Sequence, residues 1–316
     1  MVSALQKSHN FYTNVKKPCE MKSITTKVVD FVSELIPYNT IYVDLTWFDQ
    51  YDNINIDFCD LVVAVDVADP PYFFDEKVDW INKVKTKKPI IYVGPLLRDM
   101  VCPVVPFFGW LRFRPQTFKS KIKHEDFFVS FNRKPHSHRK TYFNALKSYP
   151  DILDKGYVSF FEEISKHEIA KLSLDSDIIK LQSLAQKIDE KQRYSAFEIV
   201  CETSATNYHI FLTEKFNKCI ASESPLLLLG DYKTLWTLKT HYGFTDFGPD
   251  DSYDLEPSYK TRLNKVLKVA SNFFSYPLKK TYDNAKRNAE HLHEKFDAIH
   301  DKYVFKHLLN ALKNIN

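Results

Sequence analysis

The 316-residue chain contains 44% hydrophobic and 27% charged residues, and its formal net charge is +4. This length is enough for a large core and fits two domains better than one, because a domain typically takes about 100–200 residues. The 25 Phe and 18 Tyr exclude disorder as the main state, and a total of only six Gly excludes collagen-like repeats. The longest strongly apolar runs, at 61–65 and 226–229, are far shorter than the roughly 20 residues that span a bilayer.

The first residues and the cysteines indicate the compartment. Residues 1–20 are polar and lack the apolar stretch of a signal peptide. The five cysteines are an odd number and form no Cys-x-x-Cys pair, so neither a disulfide framework nor a structural zinc site is expected. Three of them, Cys59, Cys201 and Cys219, stand in apolar surroundings typical of core residues. We therefore expect a cytoplasmic protein with no membrane span.

Charge is distributed unevenly along the chain. Residues 41–80 contain ten acids and one base, whereas residues 112–140, called the basic band below, contain nine bases and two acids. A concentrated basic segment favours an anionic ligand. Two solvated faces of opposite sign would give the same pattern.

Short β-branched runs alternate with helical stretches in the first third of the chain. Residues 1–23 show no clear periodicity and are interpreted as an arm. Residues 39–46, 60–67 and 89–93 are predicted strands, and 60–67 is apolar enough to be buried on both faces. Residues 74–85 carry apolar side chains at helical spacing. This alternation predicts a parallel sheet covered by helices.

Residues 100–124 interrupt the alternation with three prolines and a glycine, and they are the predicted linker. The alternation then resumes, so the chain is predicted to form two Rossmann-like halves followed by C-terminal helices. The predicted strands of the second half are 126–131, 156–160 (a strand or a loop), 194–201 and 225–229. The predicted helices are 138–148, 164–190, 213–222, one capped by Asp231 and running to about 241, 257–274 and 278–314.

Common catalytic signatures are absent from the sequence. A Gly-x-Gly-x-x-Gly fingerprint, a P-loop, a Gly-x-Ser-x-Gly elbow and a His-Glu-x-x-His motif are all missing. The pairs His136-x-His138 and His291-x-His293 are poorly spaced for one helical face and have no third ligand nearby. We therefore expect no bound metal.

The segment 197–230 carries the strongest functional signal. Glu202 follows an apolar strand directly, where a loop at the carboxyl end of a strand faces the ligand crevice of an α/β sheet. Thr213 is a suitable N-cap for the next helix, whose first N–H groups attract a phosphate. Lys215 lies in the first turn, where the helix dipole disfavours a cation unless the cation holds an anion. The alternative is that Lys215 only pairs with Glu214 or Glu202.

Two stretches resemble known proteins. The run E-T-S at 202–204, then F-L-T-E-K at 211–215 and P-L-L-L-L-G at 225–230, resembles the α1,3-fucosyltransferase family, which has Glu-Asn-Ser, Val-Thr-Glu-Lys and a strand ending in Gly. Residues 128–160 are similar to a looser set of phage and viral glycosyltransferase-like proteins, with Asn132-Arg133 at a strand end before His138-Arg139 at a helix start.

This resemblance implies the GT-B fold, in which two Rossmann-like domains face each other across a cleft. The implied domains are an acceptor domain at 1–125, a nucleotide-sugar domain at 126–295, and a C-terminal helix at 296–316 that packs back on the first domain. Lys215 would contact the diphosphate and Glu202 the sugar or ribose hydroxyls. Arg133 or Arg139 would neutralise phosphate charge, and Glu214 would orient Lys215 or bind ribose. Asn132 and Thr213 are the other implied donor-binding residues.

The implied reaction moves a hexose or pentose from a GDP-, UDP- or CDP-sugar to a hydroxyl, without a metal or other cofactor and with inversion. Cations and helix N–H groups must then stabilise the leaving diphosphate. A carboxylate must also accept the proton of the acceptor hydroxyl. Asp66 and Asp69, after the buried strand at 61–65, are the predicted candidates, with Asp44 and Glu76 as weaker ones. Each of these acids is equally suited to a capping or solvated position.

The acceptor stays open between a surface or lipid-linked glycan and a hydroxymethylated base in phage DNA, which would place the protein in the host cytoplasm. Lys119, Lys121 and Lys123 of the basic band could follow a DNA backbone. The neighbouring aromatic residues could stack on an extruded base or pack between domains: Phe107, Phe108, Trp110, Phe113 and Phe118. A non-catalytic protein that binds a nucleotide sugar or nucleic acid is the alternative function.

Overall fold

The structure, a computed structural model, describes residues 10–12, 29–30, 32–34, 36, 39–45, 54–66, 74–97, 100, 102–112, 125–132, 136–160, 190–205 and 209–315. The strands along these residues are β1 (Asn10–Tyr12), β2 (Thr40–Asp44), β3 (Leu61–Val65), β4 (Ile90–Gly94), β5 (Leu96–Leu97), β6 (Val104–Pro106), β7 (Glu125–Asn132), β8 (Gly156–Phe160), β9 (Ser195–Cys201), β10 (His209–Ile210) and β11 (Leu226–Leu229). The α-helices are α1 (Phe74–Lys85), α2 (Gly109–Arg112), α3 (Ser137–Leu146), α4 (Pro150–Leu153), α5 (Glu190–Tyr194), α6 (Glu214–Ala221), α7 (Thr234–Tyr242), α8 (Tyr259–Ser271), α9 (Leu278–Glu294) and α10 (Phe296–Lys313).

The chain divides into two compact units. The first contains the described residues up to 109 together with 301–315, and the second contains those from 110 to 300. Each unit has its own parallel sheet, so the α/β class predicted from the alternating pattern is confirmed.

The sheet of the first unit has the strand order β1-β2-β3-β4-β6, and each neighbouring pair is parallel. Strands β2, β3 and β4 are buried along their whole length, as expected for β-branched runs in a sheet covered on both faces. Helix α1 packs Trp80, Ile81 and Val84 into the same core cluster as Val62 and Ala64 of β3. The predicted strand–helix–strand order of this region is therefore confirmed.

Two segments of the first unit differ from the prediction. Residues 10–12, within the predicted arm, form an edge strand parallel to β2. Residues 104–106, within the predicted linker, form the opposite edge strand, β6, parallel to β4. Proline has no backbone N–H. An edge strand tolerates this loss because one side of such a strand has no neighbouring strand to which an N–H would donate. The prolines that suggested a linker are therefore compatible with β6.

The sheet of the second unit has the order β11-β9-β7-β8, again with parallel neighbours. The apolar run of β11 is completely buried. Residues 156–160, predicted as a strand or a loop, form the edge strand β8 beside β7. Of the predicted helix at 164–190, all but the last residue lies outside the described residues.

The C-terminal region is helical, as predicted, but the predicted helix at 278–314 is two helices. Helix α9 ends at Glu294, and the backbone of Lys295 leaves helical geometry with φ −121° before α10 begins. The break follows His291 and His293 in the last turn of α9. None of the described helices is long and apolar enough to cross a membrane.

The parallel order of the second sheet brings several chain segments to one edge. In such a sheet the carboxyl ends of all strands lie on the same side, and ligands bind outside that side. Strand β7 leads into α3, β9 leads through residues 202–213 into α6, and β11 leads into α7. Glu202, Thr213 and the first turns of α3 and α6 therefore meet at this edge.

Candidate functional site

Glu202 lies at the centre of the polar contacts at this edge. Its backbone N–H donates to Leu229 O at 2.9 Å, which continues the pairing of β9 with β11. Its side chain is fully buried. A buried carboxylate is stable only when hydrogen-bond donors or cations surround it, and here both do.

Thr213 and Lys215 complete what we call the Glu202 network. Thr213 donates to the Glu202 carboxylate twice, from its backbone N–H to Oε1 at 3.0 Å and from Oγ1 to Oε2 at 2.6 Å. Lys215 donates from Nζ to Thr213 Oγ1 at 2.8 Å, and its Nζ lies 3.7 Å from Glu202 Oε2. The ammonium is thus held in one position at the start of α6 by a buried anion.

Thr213 is also the N-cap that the sequence predicts for α6. Its Oγ1 accepts from the Lys215 N–H at 3.4 Å. Lys215 Nζ lies 3.7 Å from Glu214 Oε1. Burial raises the pKa of Glu214, but Lys215, Lys218, Arg139 and a backbone hydrogen bond together outweigh it. The pKa therefore lies below its ordinary value, and Glu214 is ionised at neutral pH. Lys215 therefore pairs with both carboxylates named in the alternative interpretation, yet its side chain keeps 17% exposure.

Arg139, in the first turn of α3, fixes the end of β9. Its Nε lies 3.2 Å from Cys201 O and 3.2 Å from Glu202 O, and its Nη2 donates to Thr203 Oγ1 at 3.4 Å. Arg139 is 2% exposed. These bonds give it a positioning role at the loop, in addition to the positive charge that it adds beside the Glu202 network.

The loop between Glu202 and α6 is held by a second carboxylate, Asp231. Ser204 Oγ donates to Asp231 Oδ1 at 2.9 Å, and Phe211 N–H donates to Oδ2 at 3.2 Å. The sequence predicted Asp231 as the cap of α7, and this is wrong, because its carboxylate is used by the loop. Asp254 instead accepts at Oδ2 from the Trp236 N–H at 2.9 Å.

Of the two remaining predicted donor-binding residues, Asn132 and Arg133, the structure describes Asn132. Asn132 is buried at the end of β7, and its Nδ2 donates to Ser130 Oγ at 3.1 Å. Arg133 lies outside the described residues, as do Phe113, Phe118 and the three lysines of the basic band considered for DNA.

Asp66 lies in the first unit, directly after β3, and its carboxylate accepts hydrogen bonds from two side chains of that unit. Its Oδ2 accepts from Lys77 Nζ at 2.8 Å and from Tyr92 OH at 3.3 Å, and its side chain is 1% exposed. Gly94 fits here because a Cβ would lie 2.4 Å from Asp66 O. An acceptor hydroxyl could reach this carboxylate only if the groups that cover it moved. Asp69, the other predicted base, lies outside the described residues.

Sequence reasoning missed His138 as a member of the site. Its ring Nε2 lies 2.8 Å from Glu202 O, beside Arg139. The available signal was the His-Arg pair at a helix start, but the residue types alone did not show that both side chains meet the loop. Among the described residues, no three or more His, Cys, Asp or Glu are grouped so that they could hold a metal.

A cavity of about 330 Å³ lies elsewhere in the second unit, beside α7. Its acids have partners within the protein: Asp251 accepts from Lys239 Nζ at 3.1 Å and from the N–H groups of Phe247 and Gly248. This arrangement organises the loop and gives no sign of a ligand. The residues around the cavity are Trp236, Lys239, Asp246, Gly248, Pro249, Asp250, Asp251, Ser252, Asp254 and Leu255.

Asp254→Asn should flatten the pH dependence of stability between about pH 4 and pH 6. Burial raises the pKa of Asp254 from its ordinary 3.8 to about 6. In this window the unfolded state has lost the proton and the folded state has kept it, so the free energy of unfolding falls as the pH rises. Asn keeps an acceptor for the Trp236 N–H and has no proton to lose.

The measurement is urea unfolding of both proteins at several values from about pH 4 to pH 7. Asp251, whose pKa is also raised by burial, is present in both proteins, and its charge contributes to the raised pKa of Asp254. Parallel stability curves for the two proteins would show that Asp254 does not titrate in this window.

Comparisons with known proteins give no family assignment. No family model matches the chain, and no curated protein matches it. Among solved structures, a crystal structure of an alpha1,3-fucosyltransferase is similar over 97% of this chain and 89% of that chain, with 13% identity and a TM-score of 0.41. It bears the name of the family that the motifs at 202–230 resemble, but a TM-score below 0.5 does not establish a common fold. The chain is an α/β protein with two parallel sheets, and Glu202, Lys215 and Arg139 lie together at the carboxyl edge of the second.

Proposed function

We propose that this chain is a glycosyltransferase, and that Lys215 and the first turn of α6 bind the diphosphate of its sugar-nucleotide donor. The observation that carries the proposal is a partly exposed ammonium fixed at a helix N-terminus by the Glu202 network. A cation is unfavourable beside the helix dipole unless an anion shares the position. Glu202 and Glu214 supply carboxylates here, and the exposed part of Lys215 is the part that we propose meets the diphosphate. The resemblance of residues 202–204 and 211–215 to α1,3-fucosyltransferase motifs supports the same assignment.

The chemistry of glycosyl transfer fits this arrangement. The bond from the sugar to the diphosphate breaks as the sugar carbon becomes positive, and negative charge grows on the leaving phosphate oxygen. Groups that are already oriented toward that oxygen stabilise it without reorganising. Lys215 is oriented by Thr213 and Glu202, and the N–H groups of α6 add partial positive charge. We propose that these groups serve in place of a metal ion.

Within this proposal Glu202 positions Lys215. Both carboxylate oxygens accept hydrogen bonds from Thr213, which leaves contact with sugar or ribose hydroxyls to groups nearer the surface. The proton of the acceptor hydroxyl would pass to Asp66 or Asp69, with inversion at the sugar carbon. A glycan and a hydroxymethylated base are both hydroxyl acceptors of the proposed kind.

Binding of nucleotides tests the proposal. We expect one of GDP, UDP, CDP or ADP, or its sugar nucleotide, to raise the melting temperature of the protein, because a ligand that binds only the folded state stabilises it. The shift should persist with EDTA and be lost in Lys215→Ala. If no nucleotide raised the melting temperature or bound by calorimetry, the donor site would be wrong. Binding without slow release of nucleoside diphosphate from any sugar nucleotide would favour the non-catalytic alternative.

A further inference from the structure

The hydrogen bond of His138 determines which of its ring nitrogens carries the hydrogen. Nε2 lies 2.8 Å from Glu202 O, and a carbonyl oxygen can only accept, so Nε2 is the donor. Burial lowers the pKa of His138 to about 4, and the charges of Arg139 and Lys215 contribute to the decrease. The ring is therefore neutral at neutral pH, and Nδ1 carries a lone pair that accepts hydrogen bonds.

The ring of His138 is fixed in orientation. Tyr259 OH donates to His138 O at 2.8 Å, and the Tyr259 ring meets the His138 ring edge-on at a centroid distance of 6.0 Å. The ring of His136 lies parallel to it at 5.8 Å. Within the part of the chain that the structure describes, no donor is hydrogen-bonded to Nδ1, and the side chain is only partly buried. Nδ1 is thus an oriented acceptor on a side chain that is not fully buried.

Two cationic side chains, Arg139 and Lys215, lie near enough to act on His138, and Lys215 is itself paired with carboxylates. Arg139 Nε lies 3.2 Å from the same carbonyl oxygen of Glu202, and Lys215 Nζ lies 3.7 Å from the carboxylate of that residue. The partly exposed ammonium of Lys215 suits phosphate oxygens, whereas the lone pair of Nδ1 repels them. The partner of Nδ1 is a hydrogen-bond donor, and a diphosphate bound at Lys215, as proposed above, would bring such donors close to it. In a sugar nucleotide, the hydroxyl groups of the ribose and of the transferred sugar are the donors that lie next to the diphosphate.

We propose that His138 is a donor-binding residue that accepts, at Nδ1, a hydrogen bond from a hydroxyl group next to the diphosphate; this inference rests on the function proposed above. It assigns the hydroxyl contact to His138, whereas the sequence had assigned it to Glu202. The ribose and the transferred sugar are the two sources of such a hydroxyl, and the choice of probe separates them.

Calorimetric titration of His138→Gln tests the proposal. The glutamine amide can still donate to Glu202 O from near the Nε2 position, but it leaves no acceptor at Nδ1. The probes are inorganic pyrophosphate, the nucleoside diphosphate that the wild-type protein binds best, the 2′,3′-dideoxy form of that nucleotide, and its sugar nucleotide. His293→Gln, at an exposed position of α9, is the matched control.

We expect His138→Gln to bind pyrophosphate within about threefold of the wild-type affinity and a hydroxyl-bearing probe at least about tenfold more weakly. If the ribose supplies the hydroxyl, the loss appears with the nucleoside diphosphate and vanishes with its dideoxy form. If the transferred sugar supplies it, the loss appears only with the sugar nucleotide. Equal weakening of pyrophosphate and the other probes, or no weakening at all, would overturn the assignment of His138. Failure of the wild-type protein to bind any probe would overturn the proposed function itself.

Discussion

Lys215→Ala is expected to slow release of nucleoside diphosphate from a sugar nucleotide by about 100- to 1,000-fold, the usual effect of losing one group aimed at developing charge. The variant should still fold, because Glu202 keeps both hydrogen bonds from Thr213 and the lysine side chain is partly exposed. Nucleotide release does not require the acceptor to be known. The measurement is therefore a coupled assay of that release, with the sugar nucleotide found by the binding panel.

Two controls separate charge stabilisation from structure. Lys215→Arg keeps the positive charge and should retain more of the rate than the alanine variant, with some loss because the planar group fits Thr213 differently. Lys268→Ala removes an exposed lysine from α8 of the same unit and should leave the rate unchanged. If Lys215→Ala retained the rate within about threefold, Lys215 would be only the ion-pair partner of Glu202 and Glu214.

Local patterns were sufficient to predict the elements that carry this site. The buried strands β9 and β11 were identified by their apolar runs, and Thr213 was identified as an N-cap by its residue type and its place before a helical pattern. The order of strand and helix then placed Glu202 at the carboxyl edge, because parallel strands end on one side. These inferences require only the pattern of residues that are close in the sequence, together with a parallel arrangement of the strands.

The partners of the buried charges could not be predicted in the same way. Asp231 and Asp254 both lie near the N-terminus of α7, and only the folded loop shows that Asp254, 18 residues beyond Trp236, accepts the helix N–H. Arg139 reaches carbonyl groups 62 and 63 residues away in the chain. Such pairings depend on how distant segments pack, which a local pattern of residue types does not contain.

Lys77→Met is expected to lower the free energy of unfolding by about 3–5 kcal/mol, the usual cost of removing one partner of a buried ion pair. Lys77 Nζ lies 2.8 Å from Asp66 Oδ2, and both side chains are almost fully buried. Without the ammonium, Tyr92 OH is the one described donor left to the Asp66 carboxylate, at 3.3 Å, so a buried charge loses its counter-ion. Urea unfolding, followed by circular dichroism and by tryptophan fluorescence, measures the loss.

The double variant Asp66→Asn/Lys77→Met should regain most of this stability, because a neutral buried pair avoids the desolvation of both charges. A double variant no more stable than Lys77→Met, or a single variant that loses less than about 1 kcal/mol, would contradict the ion-pair argument.

The same double variant decides whether Asp66 also accepts the proton of the acceptor hydroxyl. An amide cannot take that proton, so a stable double variant that transfers sugar at least about 100-fold more slowly would identify Asp66 as the base. A stable double variant with undiminished transfer would give Asp66 a purely structural role. Asp69, the other acid predicted after β3, would then be the next residue to replace. Because the double variant restores stability, a loss of transfer cannot be attributed to unfolding.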